Sequence, residues 1–148
     1  MNLNSILVHT HSGLRWVALI LIVMTVIRAG NLMSSKENFE FRTKSLALFA
    51  MIAMHIQAAI GLVLYVISPT VQFGATTMKD STLRFFAVEH IAMMLIALVL
   101  FTIGYSKSKK KTENRAKYKT VFWFYLIGLL VVLASIPWPF RGLGAGWF

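Results

Sequence analysis

The sequence predicts an all-α membrane protein, an antiparallel bundle of four transmembrane helices with both termini outside. Two observations lead to this prediction: the chain is 57% hydrophobic and only 14% charged, and its apolar residues form four long runs. A soluble domain carries about a quarter charged residues, and a chain of 148 residues is too short to bury this much apolar surface in one soluble core. We therefore expect a single transmembrane domain over residues 1–148.

The four apolar runs cover residues 5–27, 45–67, 83–105 and 120–136. A helix needs about 20 apolar residues to cross the hydrocarbon layer, so each run is long enough or nearly so. The first run contains Arg15, follows no basic segment and ends without a small-residue cleavage site, which argues against a cleaved signal peptide. Cysteine is absent, which excludes disulfides, zinc–thiolate sites, iron–sulfur clusters and covalently attached c-type haem.

The net charge of +10 is concentrated in two connections between the runs. Residues 28–44 carry four Lys or Arg and residues 106–119 carry seven, whereas residues 68–82 carry only Lys79. Connections rich in Lys and Arg stay in the cytoplasm, so we expect both termini on the outer side of the membrane. The charge then marks orientation and meets anionic lipid headgroups of the bilayer, and nucleic acid is not an expected partner.

The C-terminal tail, residues 137–148, reads PWPFRGLGAGWF. Pro137 and Pro139 prevent the fourth helix from continuing, and Trp138 and Trp147 are typical of a membrane interface. We expect this tail to lie across the outer mouth of the bundle.

All four histidines, His9, His11, His55 and His90, lie within apolar runs. An ionisable side chain at such a depth costs a few kcal/mol and needs a partner or a function. At about 1.5 Å of rise per residue, His11 lies about 25 Å, His90 about 22 Å and His55 about 16 Å from the cytoplasmic edge. His11 and His90 are therefore expected at one level.

The helical period separates His9 from His11, because residues two apart on a helix point to nearly opposite sides. The stripe through His11 continues through Arg15 and Ala18, polar near the outer end and small further in, so we expect His11 to face inward. His90 lies on a stripe of small, polarizable and aromatic side chains, which suits a flat apolar cofactor.

Two neutral imidazoles at one depth on different helices are what six-coordinate haem b requires, whereas zinc or copper would need further ligands close by. We therefore expect His11 and His90 to be the metal ligands, with His55 as a possible alternative. For a single membrane histidine, a structural hydrogen bond to a neighbouring helix is the commoner role, and this interpretation stays open.

Four further residues are expected to hold the cofactor, namely Arg15, Gln57, Gly61 and Arg141. Arg15 is one turn from His11 and would neutralise a haem propionate or pair with Glu89, which could instead pair with Arg84. Arg141 would also reach a propionate, and Gly61 leaves room for a porphyrin or a neighbouring helix. Gln57, Tyr65 or Glu89 would line a site for a second cofactor, quinone.

Residues 57–98, with QAAIGLVLY and FFAVEHIAMMLIAL, resemble one half of a haem A synthase, in which a Gln-x-x-x-Gly helix precedes a helix that opens with a ligand histidine. The HSGLRWVAL stretch resembles the preceding helix of that half, which carries the other ligand. This resemblance implies His11 and His90 as the axial pair. Three departures argue against synthase activity: Arg15 follows His11 by four residues rather than by one, no cysteine pair is present, and the second four-helix half is missing.

The whole chain resembles more closely a group of small bacterial membrane proteins labelled cytochrome b. The segments that resemble this group are HSGLRW, HIQAAIGLVLY, VQFGATTMKD, VEH and SIPWPFRGLGAGWF. The resemblance implies a haem-holding bundle of four helices in a bacterial cytoplasmic membrane.

Three functions are compatible with these patterns. The first is a b-type cytochrome that transfers electrons between quinol and a partner, as an electron carrier or an oxidoreductase subunit rather than a stand-alone enzyme. The second is a non-enzymatic accessory subunit of a larger respiratory membrane complex, with the histidines as interhelix hydrogen-bond partners. The third is a quinone- or lipid-binding protein without haem. A homo-oligomer is compatible with each of them.

Overall fold

The computed structural model of the chain describes residues 3–34, 39 and 41–147 and is helical, with no strand in those ranges. Four helices are long and apolar enough to cross a membrane: α1 (Leu3–Leu32), α2 (Phe41–Ile67), α3 (Ser81–Lys110) and α4 (Asn114–Ser135). The predicted four helices are therefore confirmed, and they indicate a multi-pass membrane protein. Part of the first basic connection, residues 35–38 and 40, lies outside the described residues.

The helices extend beyond the predicted spans at the two basic connections. α1 continues to Leu32, α3 continues to Lys110, and α4 begins at Asn114 rather than at residue 120. Lys and Arg have high helix propensity, and a helix can continue after it leaves the hydrocarbon. Three Lys side chains lie in the last turn of α3, where their charge favours the negative end of the helix dipole. Hydropathy thus predicts where the apolar segment of each helix ends, but it does not predict where the helix itself ends.

Polar caps and prolines set the other helix ends. The Asp80 carboxylate accepts hydrogen bonds from the backbone N–H of Thr82 and of Leu83, both at 2.9 Å, and begins α3. α2 ends at Ile67, two residues before Pro69, and α4 ends at Ser135, two residues before Pro137.

The helices pack in a ring, in which α1 contacts α2 and α4, and α3 also contacts α2 and α4. α1 and α3 are therefore diagonally opposite, as are α2 and α4. The contact between α2 and α3 is the least extensive of the four.

One half of the bundle has a dense core. Gly104 lies directly against the Cβ of Phe124, and Gly128 lies against the ring of the fully buried Phe101, so α3 and α4 approach closely there. The Tyr125 hydroxyl donates a 2.6 Å hydrogen bond to the Ala47 carbonyl and links α4 to α2. We call this half the basic end. The other half, where residues 137–147 pack against α1, is called the tail end and contains a cavity.

Candidate functional site: a histidine pair in a tail-end cavity

A cavity of about 350 Å³ lies among the helices at the tail end. Its lining is mostly apolar and comes from all four helices, from the connection after α2 and from the tail. Cavities of this size and character are typical of sites for small molecules and cofactors. The predicted site residues His11, His90, Arg15, Gln57 and Gly61 all line it.

His11 of α1 and His90 of α3 face each other across this cavity. Their ring centroids are 6.4 Å apart and the ring planes are inclined by 72°. Because α1 and α3 are diagonally opposite, the two imidazoles meet in the interior of the bundle rather than at a contact between neighbouring helices. The structure thus brings together the two histidines that depth and helical period selected.

His90 is held by the backbone of α4. Its Nδ1 lies 2.7 Å from the Ser135 carbonyl oxygen, and since that oxygen can only accept, Nδ1 carries the hydrogen and donates. In the neutral ring this leaves Nε2 without a hydrogen and able to act as a metal ligand. A carbonyl that fixes the tautomer in this way is the usual support of a ligand histidine.

A π-helical turn, Phe85–Glu89, directly precedes His90. The His90 backbone N–H donates to the Phe85 carbonyl, five residues earlier, so this turn contains one residue more than an α-helical turn. The Phe85 ring lies 5.7 Å from the His90 ring, between centroids. Sequence reasoning missed this turn, because no residue type marks a π-helix in a run of apolar and aromatic residues.

His11 is accommodated by two residues of α2. A Cβ on Gly61 would lie 3.2 Å from His11 Cε1, so any other residue at this position would press on the imidazole. Gln57 is buried, with 7% of its surface exposed, and its Nε2 donates a 2.7 Å hydrogen bond to the His11 carbonyl oxygen. Together they fix the backbone and the ring of His11 from the α2 side.

Buried polar atoms without hydrogen-bond partners concentrate at this cavity. Within the described residues, four cavity-lining side chains contribute such an atom: Asn4 Oδ1, His11 Nδ1, Arg15 Nε and Gln57 Oε1. Each buried polar atom left unpaired costs about 1–3 kcal/mol, so unpaired atoms are rare in native proteins. Their convergence on one cavity makes it the candidate binding site.

The tail forms part of the cavity wall towards the end of the bundle. Leu143–Gly146 line the cavity, and we call residues 142–147 the strap. Arg15 Nη2 and Trp16 Nε1 both donate to the Trp147 carbonyl oxygen, at 2.6 and 3.2 Å. Gly142 has a positive φ of 67°, which lets the chain turn back over the cavity after the short helix Pro139–Arg141.

The strap yields a first prediction. In the double variant Arg15→Met, Trp16→Phe, the Trp147 carbonyl loses both donors, and we expect backbone amide hydrogen exchange in residues 143–147 to accelerate about tenfold or more. Arg28→Met, at the other end of α1, is the matched control and should leave this exchange unchanged. Exchange as slow in the double variant as in the parent would show that other contacts hold the strap.

The other predicted site residues lie away from the cavity. His9 and His55 are exposed, and His55 Nδ1 donates to the Met51 carbonyl of its own helix at 2.8 Å, so neither histidine faces the interior. Arg141 lines a second cavity, lies over the Phe85 ring and donates to the Ala134 and Ile136 carbonyls.

Glu89 forms an ion pair with Arg84, with 2.7 Å between Oε1 and Nε, and not with Arg15. The pair joins residues five apart across the π-helical turn. Within the part of the chain that the structure describes, no group of three or more His, Asp or Glu side chains is placed to hold a metal ion. The candidate site therefore consists of the pair His11 and His90.

Comparison of the chain with protein-family models, with curated proteins and with solved structures gives no match.

Proposed function

We propose that this protein is a b-type cytochrome of a bacterial cytoplasmic membrane, with haem b held between His11 and His90. The four helices would be antiparallel, with the tail end on the outer side and the two basic connections in the cytoplasm. Trp16, Trp138 and Trp147 cluster at the tail end, with ring centroids 6.0–6.4 Å apart, as expected for an aromatic belt at a membrane interface.

The separation of the histidine rings is the observation that carries this proposal. An imidazole nitrogen bonds a metal at about 2 Å, and the ring centre lies about 1 Å behind the nitrogen, so two imidazoles on opposite sides of one metal have centres about 6 Å apart. The observed 6.4 Å matches this spacing. The apolar lining and the two diagonal helices also fit a porphyrin in a four-helix bundle.

The surrounding residues have distinct roles in holding the group. Ser135 orients His90 through its carbonyl, Gln57 fixes the backbone at His11, and Gly61 leaves space beside the His11 ring. Arg15 would bind a propionate, because its guanidinium lines the cavity and its Nε has no protein partner. A haem with two histidine ligands supplies one-electron transfer, which we assign to an exchange between quinol in the bilayer and a protein partner.

The direct test is the absorption spectrum of the detergent-purified protein. We expect a dithionite-reduced minus oxidised spectrum of b type and a pyridine haemochrome assay close to one haem per chain. Apoprotein from a haem-deficient host should gain the same spectrum when haemin is added. Folded, colourless protein that takes up no haemin would overturn the proposal.

A further inference from the structure

The cavity is open towards the bilayer between α2 and α3. Leu62 of α2 and Leu95 of α3 both line the cavity, yet 48% and 44% of their surfaces are exposed. A side chain that borders a cavity and is also half exposed lies at its edge. Because these residues lie within apolar spans, that edge faces hydrocarbon.

Tyr65 and the π-helical turn of α3 border this opening. Tyr65 Oη donates a 2.7 Å hydrogen bond to the Ala87 carbonyl and so joins α2 to the π-helical turn of α3. Tyr65 and Phe86 also line the cavity. Towards the end of the bundle the strap lines the cavity, and the gap between α2 and α3 lies on the side of the bundle, within the apolar spans.

Tyr65 Oη, which borders the opening, is able to bind a ligand. A tyrosine hydroxyl donates one hydrogen and keeps lone pairs that accept, so Tyr65 Oη can still accept a hydrogen bond while its own hydrogen is held by Ala87. A ligand arriving from the bilayer that offers an O–H on an aromatic ring would satisfy this acceptor and pack on the Phe86 ring.

We propose that the gap between α2 and α3 is a docking site for a lipid-soluble hydroquinone, which enters from the bilayer and donates a ring hydroxyl to Tyr65 Oη. The assignment of a hydroquinone rests on the proposed function, because a gap within the apolar spans would bring a membrane cytochrome into contact with a lipid-soluble electron donor. The opening itself follows from Leu62 and Leu95 alone.

Photolabelling tests the site. The protein in phosphatidylcholine nanodiscs is irradiated with a decyl-tailed benzohydroquinone that carries a diazirine on the tail, and the labelled peptides are identified by mass spectrometry. We expect labelling of α2 and α3 that unlabelled decylbenzohydroquinone suppresses. Leu62→Trp, Leu95→Trp should reduce this labelling to near background, because two indoles would fill the gap.

The chain offers matched controls for these variants. Val63 and Ile96 are the next residues on the same helices, are 48% and 51% exposed, and do not line the cavity. Val63→Trp, Ile96→Trp should therefore label like the parent protein. Equal labelling in the Leu62, Leu95 variant and in this control would overturn the proposed opening.

A competition experiment on the unaltered protein tests the hydrogen bond to Tyr65. The dimethyl ether of decylbenzohydroquinone has no hydroxyl to donate, so we expect it to compete about fivefold more weakly than the hydroquinone on the unaltered protein. Tyr65→Phe should remove this preference. Equal competition by the two compounds would contradict the hydrogen bond to Tyr65.

Haem content, measured in every sample, separates this inference from the proposed function. Suppressible labelling between α2 and α3 in protein that takes up no haem would leave the docking site standing and refute the cytochrome. Haem-replete protein without suppressible labelling would refute the docking site and leave the cytochrome standing.

Discussion

His11→Ala and His90→Ala are each expected to abolish the six-coordinate b-type spectrum and to remove most of the bound haem. Each substitution deletes one of the two imidazoles that face each other at 6.4 Å, and no further histidine is near enough to replace it, because His9 and His55 point away from the cavity. Absorption spectra and haem content of the purified variants measure both effects.

Two features make this experiment specific for ligation. His9→Ala and His55→Ala each remove a histidine that also lies within an apolar helix, α1 and α2 respectively, and should leave the spectrum unchanged. Added imidazole should restore the six-coordinate spectrum in the His11 and His90 variants, because the deleted side chain leaves a space of its own shape. A full spectrum in either variant without imidazole would exclude that histidine as a ligand.

Gly104→Ala is expected to cause the largest loss of stability among the single substitutions considered. A Cβ at this position would lie 2.5 Å from Phe124 Cβ, an atom that its own backbone holds in place, so α3 and α4 would have to separate. Overpacking of this kind costs about 1–3 kcal/mol. Thermal unfolding in detergent should show a clearly lowered midpoint.

Gly13→Ala is the control for Gly104→Ala, because a Cβ there meets no atom within 4 Å. We expect its unfolding midpoint to equal or exceed that of the parent protein, since alanine favours a helix over glycine. If both variants unfold at the same temperature, the close approach of α3 and α4 at Gly104 does not limit stability.

Hydropathy and period were sufficient to predict the four helices, because a membrane span requires a long apolar helix and permits little else. They also selected His11 over His9, a choice that needs only the 3.6-residue repeat. The structure places the selected residue in the cavity and leaves the other exposed.

Other parts of the site could not be predicted because they depend on backbone atoms. Arg15 and Trp16 bind the carbonyl of Trp147, more than 130 residues away, and His90 binds the carbonyl of Ser135. Every residue has a carbonyl, so the sequence does not show which one will be used. The π-helical turn before His90 is unpredictable for the same reason, since it consists of shifted backbone hydrogen bonds.

The ring arrangement of the helices gives a ligand in the cavity a mechanical role. Each helix packs extensively only on its two neighbours, and the basic end is filled while the tail end is hollow. A group bonded to both His11 and His90 would connect α1 directly to α3, two helices that do not pack against each other extensively. Its binding would therefore raise the free energy needed to separate the helices at the tail end.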